Sequence, residues 1–252
     1  MRRPRTPPGS PETTEARSPE LRACEKASRM GGFFFLKGFM RIDGLIFDID
    51  GTLWDSCEAV RESWALSLRR RFGCFGAPST EQVRSIMGLT PDEIAAKLFS
   101  RFGTHAREVF DALSEDECAY LAEHGAAVYP GVCETLRSLS GKRRLFIVSN
   151  CQHGYIEAFL RSCGLEGLME SCLCAGDTGL EKDANLRGLI SSAALARPVY
   201  IGDTRSDERA ARGADCAFIH AAYGFGDAER PDAVLHAFSQ LPSLLDKLEE
   251  TE

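Results

Sequence analysis

The sequence predicts a doubly wound α/β fold, in which a parallel sheet is covered by helices on both faces and interrupted by an inserted helical domain. Short runs that are apolar throughout alternate with helical patterns from residue 40 onward, as expected of buried parallel strands. Between residues 56 and 129 this alternation stops, and only helical patterns remain. The 252 residues, 44% of them hydrophobic, suffice for one such core with an insertion.

Five apolar runs locate the strands of the predicted sheet. They cover residues 44–47, 145–148, 171–175, 199–201 and 217–219, and the run at 171–175 has the weakest pattern. Each is too short for a helix and lacks the polar alternation of a half-exposed strand. We therefore expect a sheet that is buried on both sides.

Helical patterns fill the intervals between these runs. They cover residues 131–139, 155–163 and 185–195. In the second of them, Ile156, Phe159 and Cys163 lie on one face at helical spacing. Strands that alternate with helices in this way imply a doubly wound α/β sheet.

The segment from 56 to 129 is the predicted cap, and the core comprises residues 40–55 and 130–252. An apolar residue recurs every fourth position from Val60 to Phe72. Pro91 begins a second helix that has Thr90 as its N-cap and runs to residue 98, and a third covers 106–123. The turn-forming residues 129–131 are the expected return hinge.

Residues 1–39 differ in composition from the rest of the chain. They hold five of the eleven prolines and eight Lys or Arg against four Asp or Glu. This composition predicts a disordered leader. Met40 precedes the first strand directly, so we expect the functional unit to begin there, with Met40 as a possible translation start.

Charge and cysteine usage exclude several classes of protein. The net charge is -7, and an acidic body argues against sequence-independent binding of nucleic acid. No apolar run approaches the ~20 residues of a membrane span, and no signal peptide is recognisable. Ten cysteines without a C-x-x-C pair predict reduced thiols in a cytoplasmic protein rather than a zinc site.

Three carboxylates crowd the segment after the first strand. Asp48, Asp50 and Asp55 lie within eight positions, with a Gly-Thr turn between the second and the third. Like charges at this spacing repel one another unless a metal ion or a proton lies among them. The segment is therefore a candidate catalytic centre, and Asp55 is assigned instead to capping the first helix of the cap.

Further polar residues follow other predicted strands. Ser149 and Asn150 come after the second strand, Asp203 and Asp207 come after the fourth, and Lys182 precedes the helix that leads into the fourth. Ligands of open α/β sheets bind beyond the carboxyl ends of the strands. We expect these groups to converge at that edge.

Phosphoryl transfer needs a nucleophile, a proton donor and cations for the phosphoryl oxygens. Asp48 could attack phosphorus, and Asp50 could protonate the leaving alcohol and then activate water. Asp48 and Asp203 could hold Mg²⁺, a hard cation that prefers carboxylate oxygen, and Lys182 offers a positive charge. The predicted phosphate donors are Ser149, Asn150, Lys182 and the backbone around Gly51 and Thr52.

The four segments resemble the motifs of the haloacid dehalogenase superfamily. They are Asp-Ile-Asp-Gly-Thr-Leu-Trp-Asp-Ser at 48–56, Ile-Val-Ser-Asn at 147–150, Lys182, and Gly-Asp-Thr-Arg-Ser-Asp at 202–207. The resemblance covers residues 40–240 and implies a Rossmann-like core with a C1-type cap. It also implies that the Asp50 carbonyl is a third metal ligand. Asp207 would then orient Lys182 or a metal-bound water.

The same resemblance narrows the function. Members that remove halogen or cleave phosphonates lack the acid at Asp50, so this chain resembles the phosphomonoester hydrolases. In C1-capped members a cap loop selects the leaving group, and Gly88, Leu89 and Thr90 match that loop, although a simple turn between helices is an alternative. The segment 222–226 resembles phosphoglycolate phosphatase-like members.

The predicted protein is a Mg²⁺-dependent phosphatase of a small phosphorylated metabolite, as a monomer or homodimer, with no nucleic-acid or membrane partner. Two alternatives remain. A phosphomutase of the β-phosphoglucomutase type shares the cap and the motifs. A non-catalytic binding protein could use the same fold, because fold does not determine function.

Overall fold

The computed structural model describes residues 41–250, and the predictions for the leader and for Met40 lie outside these residues. A six-stranded sheet has the order β5-β4-β1-β6-β7-β8, with every neighbouring pair parallel. The sheet strands are β1 Gly44–Phe47, β4 Arg144–Ser149, β5 Ser171–Cys174, β6 Pro198–Gly202, β7 Ala217–Ala221 and β8 Ala233–Leu235. The predicted α/β fold is thereby confirmed.

Helices connect the strands of the sheet and cover both of its faces. These core helices are α5 Val132–Ser140, α6 Tyr155–Ser162, α7 Ala175–Thr178, α8 Lys182–Ser192, α9 Arg205–Gly213 and α10 Leu241–Glu250. Side chains alternate between two apolar layers: Leu45 and Phe47 of β1 belong to one, and Ile46 belongs to the other. All four residues of β1 are buried, as the wholly apolar run predicts.

The register of the central strands determines where the polar residues emerge. Phe47, the last residue of β1, is paired with Ile147 of β4 and with Ile201 of β6. The backbone N–H of Asp48 donates to the carbonyl of Ile201 at 2.9 Å and continues the ladder by one residue. The segments that follow β1, β4 and β6 therefore leave the sheet at one edge.

A helical insert, residues 56–129, follows β1. Its helices are α1 Cys57–Phe72, α2 Thr80–Arg84, α3 Pro91–Leu98 and α4 Ala106–His124, with a 3-10 turn at Ser100–His105. The prediction of helices alone was wrong in one respect, since Ala127–Val128 forms a short strand, β3, that pairs antiparallel with β2, Trp54–Asp55. This ribbon lies where the chain enters and leaves the insert.

Local sequence explains the main differences from the predicted elements. Strand β8 was missed because it has three residues and an exposed side chain, Val234. Helix α8 begins earlier than predicted, so Lys182 is its first residue rather than a residue before it. Asp55 accepts from the backbone N–H of Cys57 at 3.0 Å, as expected of a residue at a helix start, although the N-cap position belongs to Ser56.

Two further observations concern the cysteines of the described residues and the length and polarity of their helices. The nine cysteines within residues 41–250 are all free. In the same range, no helix has both the length and the apolar character needed to cross a bilayer.

Candidate active site

Three buried carboxylates meet at the edge of the sheet beyond β1 and β6. Asp48, Asp203 and Asp207 are at most 4% exposed, and each offers an oxygen within 4.8 Å of those of the others. Asp48 follows β1, Asp203 follows β6, and Asp207 lies in the first turn of α9. Three carboxylates this close repel one another unless a cation or a proton lies among them.

Lys182 supplies one positive charge to this cluster. Its Nζ donates to Asp48 Oδ1 at 2.9 Å and to Asp207 Oδ1 at 2.7 Å, and its side chain is 5% exposed. The helix start at Glu181 places the lysine on the first turn of α8. The prediction that Lys182 lies beside the Asp48 carboxylate agrees with this geometry, despite the acidic residues on either side of it in the sequence.

Two further contacts fix Asp207. Thr204 is the N-cap of α9: its hydroxyl donates to Asp207 Oδ2 at 2.6 Å, and its backbone N–H donates to the same oxygen at 3.0 Å. The Tyr200 hydroxyl lies 3.0 Å from the Val148 carbonyl and 3.3 Å from Asp207 Oδ1. Asp207 is thereby held against Lys182, as expected of an orienting acid.

The charges within the cluster have opposing effects on its pKa values. Burial raises the pKa of Asp48 to about 7 and that of Asp203 to about 8, although Lys182 acts against both shifts. Burial also acts to raise the pKa of Asp207, but Lys182 and Thr204 outweigh it and lower this pKa. For Lys182, burial is outweighed by Asp207 and Asp48, and its pKa is raised. One lysine therefore keeps Asp207 ionised but does not neutralise the whole cluster.

The Asp203 carboxylate lies against a backbone N–H group and two glycines. Its Oδ2 accepts from the backbone N–H of Phe225 at 2.7 Å, whereas its buried Oδ1 has no partner within residues 41–250. Two glycines make room for it. A Cβ on Gly51, at φ +79°, would lie 2.0 Å from Asp203 Oδ2, and one on Gly224 would lie 2.4 Å from Asp203 Cβ. The donor set of carboxylate oxygens fits Mg²⁺.

Asp50 has a different environment. Its Oδ1 accepts from Ser56 Oγ at 2.6 Å, from Tyr155 Oη at 2.7 Å and from Trp54 Nε1 at 3.0 Å. These donors occupy one oxygen and leave the second available for a proton. Burial raises the pKa of Asp50 even though the three donors act to lower it, and a raised pKa suits a proton donor.

Three residues predicted for the site each have a buried side-chain oxygen that lacks a hydrogen-bond partner within residues 41–250. The buried side-chain atoms without a partner in the described part of the chain are Thr52 Oγ1, Asn150 Oδ1 and Asp203 Oδ1. Ser149 is also buried, at the end of β4. One detail of the prediction is corrected: the backbone N–H groups of Gly51 and Thr52 donate to carbonyls inside their own tight turn, so Thr52 presents its hydroxyl instead.

A cavity of about 50 Å³ lies between the core residues and the helical insert. Asp48, Asp50, Ser149 and Asn150 line its core side. Residues of α1, α3, α4 and the loop after α2 line its other side, namely Val60, Trp64, Ile86, Met87, Gly88, Leu89, Pro91, Ile94, Phe110 and Glu117. The insert therefore covers the carboxylates.

The predicted selection loop reaches this cavity in part. Gly88 and Leu89 line it, and the Gly88 carbonyl accepts from Asn150 Nδ2 at 3.0 Å. Gly88 has φ +81°, a conformation that favours glycine. Thr90 does not line the cavity, since it forms the start of α3, where its backbone N–H donates to Glu93 Oε2 at 2.8 Å.

Sequence reasoning missed several residues of the site. Tyr155 has no recognisable signal, because it contacts Asp50 across 105 positions. Ser56 ends the first motif but was assigned no role, and its hydroxyl donates to Asp50 six positions away. Tyr200, seven positions before Asp207, belongs to an apolar strand pattern that gives no sign of this contact.

Trp54, a residue of the first motif, is fully buried, and its Nε1 donates to Asp50 Oδ1 at 3.0 Å. The segment 222–226 contacts Asp203, because the backbone N–H of Phe225 donates to its Oδ2 and Gly224 packs against its Cβ.

Comparison with known proteins assigns the class. The family of haloacid dehalogenase-like hydrolases matches residues 45–221. The chain belongs to this family, and the family predicted from the four motifs is confirmed.

Curated relatives share much of the chain's length. A phosphoglycolate phosphatase of Yersinia pestis is 27% identical over 83% of this chain and 98% of its own. One from Photobacterium profundum is 29% identical over 82% of this chain and 96% of its own. With the family match, these relatives confirm the predicted enzyme class, a phosphatase of this superfamily.

Solved structures support the fold. CbbY from Rhodobacter sphaeroides, determined in complex with phosphate, superposes with a TM-score of 0.68 at 22% identity. The alignment covers 81% of this chain and 99% of that one. A haloacid dehalogenase-like hydrolase from Streptococcus pneumoniae gives 0.68 at 20% identity, over 81% of this chain and 98% of its own.

Proposed function

We propose that the protein hydrolyses a small phosphomonoester in a Mg²⁺-dependent reaction that passes through an aspartyl-phosphate on Asp48. The observation that carries the proposal is the set of buried oxygens on Thr52, Asn150 and Asp203 that have no partner within residues 41–250. Of these three residues, Asn150 lines the same cavity as Asp48 and Asp50. Buried polar atoms are rarely left unpaired unless a ligand meets them. The Thr52 hydroxyl can donate to a phosphoryl oxygen and the Asp203 carboxylate can bind the accompanying cation, whereas the unpartnered Asn150 amide oxygen can only accept.

Each residue of the site has a defined task in this proposal. The Asp48 carboxylate attacks phosphorus, and the bond to the leaving oxygen breaks as Asp50 gives that oxygen its proton. In the second step Asp50 takes a proton from water, whose oxygen attacks phosphorus and releases Asp48 and inorganic phosphate. Lys182 and Thr52 contact the phosphoryl oxygens, and the helical insert, which we propose acts as a cap, limits access of bulk water.

The chain's own residues fit the divalent cation that this chemistry requires. Asp48 and Asp203 would hold it, with the Asp50 carbonyl as the proposed third protein ligand. When bound, the cation supplies positive charge that Lys182 alone does not provide to the three carboxylates. Mg²⁺ fits because its ligands are oxygens and because it retains several waters.

The proposal is tested by measuring release of inorganic phosphate from a panel of small phosphomonoesters. We expect release with Mg²⁺, its loss in EDTA and its return when Mg²⁺ is restored. Bound Mg²⁺ is also expected to raise the melting temperature, because a ligand that binds only the folded state stabilises it. Isomerisation of sugar phosphates without release of phosphate would instead favour the phosphomutase. Absence of both reactions would favour a non-catalytic binding protein.

Tyr155→Phe tests the role of Asp50 as the proton donor. The loss of one hydroxyl donor to the carboxylate should raise the pKa of Asp50 further, because that hydrogen bond stabilises the charged form. Since the first step needs protonated Asp50, the limb of kcat/KM that falls with rising pH should move upward. The expected shift is about half a pH unit to one unit, from a hydrogen bond of ~0.5–1.5 kcal/mol.

The matched control is Tyr120→Phe. The Tyr120 hydroxyl donates to Glu62, an insert residue outside the cavity, at 2.9 Å. This variant should leave the pH profile unchanged. A profile that is the same in both variants would show that the limb does not report Asp50.

The proposed substrate is a small metabolite, as for the phosphoglycolate phosphatase relatives, and the proposed compartment is the cytoplasm.

A further inference from the structure

Glu117 of α4 is a buried carboxylate that the proposed reaction does not use. Its side chain is 3% exposed and lines the same cavity as Asp48 and Asp50. Gln152 Nε2 donates to its Oε1 at 2.8 Å, and Trp64 Nε1 donates to its Oε2. The carboxylate is therefore fixed in place on the insert side of the cavity, opposite the catalytic residues.

The two groups that hold Glu117 are neutral. No ion pair involves this residue in the described part of the chain, where its donors are the uncharged Gln152 and Trp64. Burial raises its pKa to about 8, and a bound ammonium group would act in the opposite direction by favouring the charged carboxylate. Each carboxylate oxygen accepts up to two hydrogen bonds, so acceptor capacity remains on both. A buried carboxylate without a cation is costly, and such an arrangement suits a ligand that brings a donor or a positive charge.

The remaining insert residues that line the cavity are apolar or aromatic. Trp64 and Phe110 stand edge to face with ring centroids 6.0 Å apart, and both rings line the cavity beside Glu117. Aromatic faces attract ammonium groups through their quadrupole, and a desolvated site strengthens the attraction. A carboxylate beside two aromatic rings has the chemistry of an ammonium site.

Cations that could bind an anionic leaving group do not line this cavity. Its lining residues, all within the described range, include neither Lys nor Arg. Arg84 of α2 is directed elsewhere, because its Nη2 lies 2.8 Å from Asp55 Oδ2 and its guanidinium contacts the Phe225 ring. A substrate carboxylate at the insert end would therefore meet Glu117 without a counter-charge.

We propose that the insert end of the cavity selects a phosphomonoester whose leaving alcohol carries an ammonium group, bound by Glu117 with the rings of Trp64 and Phe110. The inference rests on the proposed phosphatase function and specifies its substrate class. It also separates this chain from its phosphoglycolate phosphatase relatives in specificity, since phosphoglycolate carries a carboxylate where this cavity offers a carboxylate. The volume of about 50 Å³, room for roughly four waters, fits a leaving group of a few heavy atoms.

The test uses a matched series of two-carbon phosphomonoesters on the unmodified protein with Mg²⁺. The esters are O-phosphoethanolamine, 2-hydroxyethyl phosphate, ethyl phosphate and 2-phosphoglycolate, which differ in the terminal group alone. We expect kcat/KM to fall in that order. The ammonium ester should exceed ethyl phosphate by about tenfold or more, the usual size of a charge-assisted hydrogen bond.

Glu117→Gln removes the charge while it nearly preserves the shape of the side chain. It should lower kcat/KM for the ammonium ester about tenfold or more and raise it for phosphoglycolate, with ethyl phosphate little changed. Glu115→Gln is the matched control, since it makes the same change on the same helix at a side chain that is 75% exposed. Ethyl phosphate turnover reports whether each variant is folded and active.

The outcomes separate this inference from the proposed function. Preference for phosphoglycolate, or a ratio of ammonium to ethyl ester that Glu117→Gln leaves unchanged, would overturn the ammonium site and leave the phosphatase intact. If no ester of the series releases phosphate with Mg²⁺ although other phosphomonoesters of the panel do, the ammonium site fails and the phosphatase stands; the proposed function fails only if the whole panel releases none. The order measured on the unmodified protein does not depend on any variant folding.

Discussion

Asp48→Asn is expected to abolish release of inorganic phosphate, with a loss of at least about a thousandfold in kcat, while the fold persists. An amide is a far weaker nucleophile than a carboxylate, and Asp48 is the carboxylate that directly follows β1. The fold should survive because the amide oxygen can still accept from Lys182, and because burial already disfavours the charged form of Asp48. The measurements are phosphate release and a thermal melt.

A second readout distinguishes nucleophilic attack from a role in binding. Acid quenching during turnover should trap phosphate covalently on the unmodified protein, and Asp48→Asn should trap none. Asp92→Asn is the control, because its side chain is 84% exposed and lies on α3, outside the cavity lining. Near-normal turnover in Asp48→Asn would rule out the aspartyl-phosphate route.

The sequence predicts the sheet best where burial on both faces leaves no ambiguity. Strand β1 has the predicted bounds, because four consecutive apolar residues between polar ones admit little else. Strand β8 was not predicted because it is a short edge strand, and edge strands have one neighbour and an open side. The ribbon of β2 and β3 was not predicted because two residues per strand are too few to show a hydrophobic periodicity.

The residues of the candidate site also fall into a group that the sequence predicts and a group that it does not. Residues that follow strands, such as Asp48 and Asp203, were predictable because sheet topology brings strand ends to one edge. Tyr155 and Glu117 were not, since each acts from a helix whose packing decides which side chain faces the cavity. Tyr155 lies 105 residues from Asp50, with which it forms a hydrogen bond, so no local sequence pattern predicts this contact.

Lys182→Met is expected to destabilise the fold by about 3–5 kcal/mol, the usual cost of removing one partner of a buried ion pair. Lys182 bridges Asp48 and Asp207, and all three side chains are nearly inaccessible to water. The methionine fills much of the same volume, so the main loss is the charge. The free energy of unfolding is to be measured by urea denaturation in EDTA, since a bound divalent cation would replace part of the missing charge.

Lys97→Met is the control for the loss of a lysine as such, because Lys97 Nζ donates to the backbone carbonyl of Ser85 at the exposed surface of the insert. It should cost far less than Lys182→Met.

The pH dependence of the Lys182→Met effect follows from the sign of the pKa shifts. With Lys182 present, the pKa of Asp207 is lowered, so its stabilising contribution exists above the unfolded pKa of ~4 and is lost in acid. Without Lys182, burial raises the pKa of both carboxyl groups, and the penalty grows as pH rises. The difference in unfolding free energy between the two proteins should therefore shrink toward pH 4.

Combining Asp48→Asn with Lys182→Met should recover part of the lost stability, because one buried charge is then gone. A pH-independent loss that the double variant does not relieve would mean that lost packing, and not the unpaired carboxylates, accounts for the destabilisation.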